Sequence, residues 1–154
     1  MNEKDLYKKI QIIVTECNKL KNKYISKNNS LIDYCCIFSQ SKEECNELED
    51  CVQKIGRLLN KTATGNLYQI NQVETECGVL RVLKIRIPDI TRPEMGDIDF
   101  IIDNYDEFKE EYLQEENFKL IQRETFEMIE LMDNDFNVRV YFPNPPVTKQ
   151  FELL

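Results

Sequence analysis

Asp97 and Asp99 flank a single residue in the run Gly96-Asp-Ile-Asp-Phe100. On a β-strand that spacing turns both carboxylates to one face. Like-charge repulsion then raises the pKa of one of them and makes an acid/base pair; salt-bridged cleft carboxylates are the plainer alternative. The same alternation sets Tyr34 and Cys36, Lys84 and Arg86, and Glu130, Arg139 and Tyr141 opposite the apolar residues beside them. Charges on such a face must be paired or wet. Two arrangements satisfy that. In one, Arg86, Lys84 and Arg139 neutralise Asp97, Asp99 and Glu130 inside a closed, inactive barrel. In the other, the face is an open cleft whose basic residues receive a small polar or anionic ligand, because the guanidinium fork matches a planar carboxylate.

Other chemistry is thinly represented. The 154 residues contain no histidine, so the commonest general base at neutral pH is missing. The six cysteines (Cys17, Cys35, Cys36, Cys45, Cys51 and Cys77) lack a CxxC spacing and any secretory context, which predicts reduced thiols and a cytoplasmic location. Cys36 serves as a nucleophile only if Arg86 or Lys84 lowers its pKa. Residues 1–30 carry seven lysines against three acids, while the whole chain has a net charge of −8. An acidic body argues against nucleic-acid binding. No apolar run approaches ~18 residues, so no membrane span is expected.

Hydrophobic periodicity supplies the elements that must position these groups. Leu6, Ile10, Ile13, Cys17, Leu20 and Tyr24 form one helical stripe in an N-terminal amphipathic helix ending near Asn28–Asn29. That stripe packs on its own chain or forms the seam of a homodimer. Leu31–Phe38 reads as a strand. Ser41 opens a capping box with Glu44, and the helix after it, with Cys45, Leu48, Val52, Ile55 and Leu59 on one face, is expected to reach Asn60. Asn66–Val73 and Val79–Ile87 read as strands, with Ile85 and Ile87 facing the helices, and Pro88 and Pro93 bound a loop. The order then repeats: strand Asp97–Ile102, an N-cap at Asn104, a helix through Tyr105, Phe108 and Tyr112, and strands at 118–123, 126–131 and 138–142. Ser41 and Asn104 are offset by 63 residues, as are Tyr34 and Asp97. The expectation is a single α/β (α+β) domain: helix 1–28, two tandem β-α-β-β-β modules over 31–88 and 96–143 forming a half-open barrel, and a tail over 144–154.

Three stretches carry a resemblance. They are Ile32-Asp-Tyr-Cys-Cys-Ile-Phe38 with its capped helix, the 65–87 hairpin ending Ile85-Arg-Ile-Pro88, and Gly96-Asp-Ile-Asp-Phe100 leading into Tyr105–Leu113. In order and local motif they resemble the YecM-like branch of the vicinal oxygen chelate superfamily, the fold of glyoxalase I and extradiol dioxygenases. The resemblance implies a cleft between two modules and a divalent metal held by His and Glu. It also implies histidines where this chain has Tyr34, Asp97 and Pro143, and an acidic residue where it has Arg86. One or two carboxylates and a phenol make at best a weak magnesium or calcium site. The leading expectation is therefore a metal-independent domain that binds a small ligand or a partner. A lyase or isomerase using Asp97 with a loosely held divalent metal is the second, and an interaction module docking through the first helix is the third.

Overall fold

The computed structural model describes residues 1–26 and 30–153. Helix α1 spans Glu3–Tyr24, and Asn2 and Asp5 close its start with a reciprocal capping box. Its end at Tyr24 precedes Asn28–Asn29, which lie outside the described residues. Leu6, Ile10, Ile13, Cys17 and Leu20 are fully buried in the chain's own core. The apolar stripe is thus not free to serve as a dimer seam or a docking face. Lys21 is buried with them, its ammonium 4.3 Å from the centroid of the Phe100 ring.

The first module runs β1 (Leu31–Phe38), α2 (Lys42–Val52), β2 (Gly56–Thr62), β3 (Gly65–Thr75) and β4 (Gly78–Arg86). Here one expectation fails. The helix from Ser41 stops at Val52 instead of reaching Asn60, and residues 56–62 form a strand paired with β3. The helical spacing of Ile55 and Leu59 was genuine, but Gly56 lies between them. A Cβ at Gly56 would sit 2.4 Å from the Gln69 carbonyl oxygen, so only glycine lets the backbones come this close. Ile55, just before β2, joins the core under the helices, whereas Leu59, the extra residue of a bulge in the β2–β3 ladder, joins the cluster on the other side of the sheet. A Gly56→Ala variant is expected to lose about 1–3 kcal/mol from backbone displacement, read as a lower urea midpoint at constant slope.

The second module repeats the order with β5 (Gly96–Ile101), α3 (Tyr105–Tyr112), β6 (Phe118–Gln122), β7 (Glu127–Leu131) and β8 (Arg139–Asn144). All eight strands join one open sheet in the order β2-β3-β4-β1-β5-β8-β7-β6. The order is symmetric about the antiparallel β1–β5 pair, and each module closes with a parallel pair, β1–β4 and β5–β8. Register shows the same relation, since Tyr34 pairs with Asp99 and Cys36 pairs with Asp97. Those are equivalent pairs when Tyr34 corresponds to Asp97 and Cys36 to Asp99.

The helices α1, α2 and α3 cover one face of the sheet over a continuous apolar core. Phe108 of α3 anchors its end, 4.7 Å from Phe142 and 4.8 Å from Tyr112 between ring centroids. Ile87 is not part of that core. It lies just beyond β4, before Pro88, and is 47% exposed.

Residues 144–153 also differ from a plain tail. Asn144 belongs to β8, and a short helix α4 (Val147–Gln150) turns back across the opposite face of the sheet. Val147, Phe151 and Leu153 pack there on Tyr34, Cys36, Phe38, Leu67 and Val82. Asp33 fastens this segment. It is the extra residue of a bulge in the β1–β5 ladder, and it accepts hydrogen bonds from the Val147 amide at 2.7 Å, the Thr148 amide at 3.2 Å and the Thr148 hydroxyl.

Candidate functional site

The face left free by the long helices holds a cavity of about 480 Å³. Its floor is laid by strand register. Lys84 on β4, Cys36 on β1, Asp97 on β5 and Arg139 on β8 are successive cross-strand partners, with Tyr34, Asp99 and Tyr141 in the adjoining row. Tyr34, Cys36, Lys84, Arg86, Asp97, Asp99 and Tyr141 line the cavity directly. Arg139 and Glu130 stand behind Tyr141. Tyr141 donates to Glu130 at 2.7 Å, and Arg139 approaches Glu130 at 3.7 Å and Glu94 at 2.7 Å.

The two arrangements open in the sequence are therefore divided between two parts of the site. Ion pairing describes Arg139, which Glu94 and Glu130 neutralise. It does not describe the middle of the cleft. Among the described residues neither Asp97 nor Asp99 has a basic group within 4.0 Å. Lys84 donates instead to the Thr64 hydroxyl at 2.6 Å, and Arg86 reaches out to Asp89 at 3.3 Å. Two buried polar atoms are left without a hydrogen-bond partner among the described residues, Nε of Arg86 and Oδ1 of Asp97.

Burial dominates the proton affinities. It raises the pKa of Asp97 to about 7, against the pull of Arg92, Lys84, Arg86 and Arg139 toward the charged form. It also raises Asp99 well above the ordinary carboxylate value, with added repulsion from Asp97 and Asp33. The ammonium of Lys84 is pushed down by the same desolvation, with Cys36 opposing and Arg86 adding to it. Burial and Asp97 both raise the Cys36 thiol, so it is a protonated, poor nucleophile at neutral pH.

Several lining residues escaped the sequence reading. Thr62 and Asn60 lie on β2, which helical spacing had concealed; the glycines at 56 and 65 bracketing an eight-residue run were the available signal. Arg92 comes from the loop between Pro88 and Pro93, where no periodicity reveals direction. It donates to the Tyr141 hydroxyl at 3.1 Å and lies 5.6 Å over the Phe38 ring. Arg123, Phe126, Val147 and Phe151 arrive from a hairpin and from the folded-back C-terminal segment.

The strand order, the paired modules and the cleft on the open face define the architecture. The fold is the half-open, two-module barrel expected from the resemblance to the vicinal oxygen chelate fold. It is shared with a structural-genomics structure titled Protein EC4020, at a TM-score of 0.73 and 11% identity, over 97% of this chain and 90% of that one. A mutant of 4-hydroxymandelate synthase from Streptomyces coelicolor also aligns, over 75% of this chain and 49% of the other at 14% identity, but its TM-score of 0.34 is too low to bear on function. No family model and no curated protein matches the chain.

The metal implied by the fold family does not suit these donors. Of the four positions, Arg86 and Pro143 offer no lone pair, and Tyr34 offers a phenol that burial keeps protonated. Asp97 alone is a competent ligand, and Lys84, Arg86 and Arg92 place positive charge around it. Among the described residues no three His, Cys, Asp or Glu side chains are grouped to hold an ion.

Proposed function

We propose that this protein is a metal-independent, YecM-like member of the vicinal oxygen chelate superfamily that binds a small anionic ligand in the cleft between its modules. The observation that carries the reading is the guanidinium of Arg86, whose Nε is buried at the cavity without a partner among the described residues. A buried unsatisfied donor costs about 1–3 kcal/mol, which an incoming carboxylate would recover. Lys84 and Arg92 supply further positive charge, and the volume suits a ligand of metabolite size. Val147 and Phe151 of the folded-back C-terminal segment add a wall to the cavity, which favours a small molecule over a protein partner. Six free, buried thiols fit a reducing compartment and hence the cytoplasm. No helix among the described residues is long and apolar enough to cross a membrane.

Thermal-shift screening with small organic acids, with and without Mg²⁺ or Mn²⁺, tests the proposal. A ligand at a hundredfold excess over its Kd adds about 2.7 kcal/mol. For a chain of this size that raises Tm by roughly 5–10 °C. The shift is expected without added metal and is expected to vanish in Arg86→Ala. A shift that requires the metal would instead support a metal-assisted lyase or isomerase at Asp97.

A further inference from the structure

Opposite charges in the cleft face one another without closing. Lys84 and Arg86 on β4 and Asp97 on β5 lie on either side of β1, so their backbones are about 10 Å apart. Long basic side chains could span that gap. Each is tethered elsewhere: Lys84 to Thr64, Arg86 to Asp89, and Arg92 to Tyr141. On the same sheet Arg139 does close on its acid, at 2.7 Å from Glu94, so the open spacing is particular to the cavity.

The two partnerless atoms have opposite character. Arg86 Nε is a donor on the basic side, and Asp97 Oδ1, on a residue only 6% exposed, is an acceptor on the acidic side. A simple anion would satisfy the first and leave the second buried and unpaired. A ligand carrying a negative and a positive group satisfies both.

Resting on the anionic-cleft reading above, we infer that the ligand is a zwitterion, a small α-amino acid. Its carboxylate lies toward Arg86, Lys84 and Arg92, and its ammonium lies against Asp97 and Asp99. The acidic pair suits this role, because a cation between two crowded, buried carboxylates relieves both their repulsion and their desolvation. Raised proton affinities at both acids are the sign of that unrelieved cost. Leu67, Met128 and Phe151 give the remaining wall an apolar character that fits an aliphatic side chain.

Calorimetry on the full chain, with the twenty common amino acids as probes, tests the inference. The best binder is then compared with its deaminated acid, its 2-hydroxy acid and its decarboxylated amine. For leucine these are 4-methylpentanoate, 2-hydroxy-4-methylpentanoate and 3-methylbutylamine. The amino acid is expected to bind at least tenfold more tightly than any of the three. Asp97→Asn, which keeps the shape of the side chain, is expected to abolish that advantage without weakening the deaminated acid. If the deaminated or hydroxy acid binds as tightly as the amino acid, or if organic acids bind and no amino acid does, the zwitterion reading falls and the anionic cleft stands. If none of these compounds binds, both fall.

Discussion

An Asp97→Asn variant is expected to be more stable than the parent chain at pH 8 by roughly 4 kcal/mol, and by less than about 1 kcal/mol at pH 4. The carboxylate is buried in the cleft without an ion pair among the described residues, and its pKa rises from an ordinary 3.8 to about 7. Because the folded chain holds this proton more tightly than the unfolded one, stability is greatest below the unfolded value. It falls as pH rises between the two values and is level above about 7. A neutral amide of the same shape removes that pH dependence, and it also relieves Asp99 of its nearest repelling charge. Urea unfolding of both proteins at pH 4 and pH 8 measures the difference directly. Equal midpoints at pH 8 would show that the Asp97 charge imposes no cost. A natural chain that keeps such an acid holds a destabilising group at its cleft, as expected where function opposes stability.

The second large effect concerns the C-terminal segment. Asp33 receives two amides and one hydroxyl from Val147 and Thr148, and Thr148 is 3% exposed. An Asp33→Ala variant leaves three donors without an acceptor, and the two on Thr148 are buried, at about 1–3 kcal/mol each if the segment stays in place. The segment lies at the chain end, so it can detach before the sheet unfolds, which caps the loss. The expected result is at least a hundredfold faster hydrogen exchange at the Val147 and Thr148 amides, equivalent to about 2.7 kcal/mol of lost protection. Amides of β1 and β5 should slow down or speed up far less. Phe151 would then leave the cavity wall, so ligand association should quicken in the same variant. Unchanged exchange would mean that Phe151 and Leu153 hold the segment by packing alone.

Much of this architecture is legible in the sequence. The stripe of α1, the N-caps Ser41 and Asn104 and the 63-residue offset all appear where local physics demands them, since capping and helical amphipathicity act within a few residues. Alternation likewise put Tyr34, Cys36, Lys84, Arg86, Asp97 and Asp99 on one face, because the strand period is fixed by the pleat. Residues 53–62 were misread for a non-local reason: their helical spacing was real, but close approach of Gly56 to β3 decided the outcome.

The cleft itself shows the same division. Residue types and order determined that two modules would meet over a polar face lacking histidine. Which charges pair was decided only in three dimensions, because pairing depends on distances of a few ångströms between residues far apart in the chain. Glu94 and Glu130 take up Arg139, Thr64 holds Lys84, and among the described residues Asp97 and Asp99 form no ion pair. Residues 145–153 and the Arg92 loop follow the same logic. Neither has a periodicity that gives direction, and each is placed by one distant contact, Asp33 for the first and Tyr141 for the second.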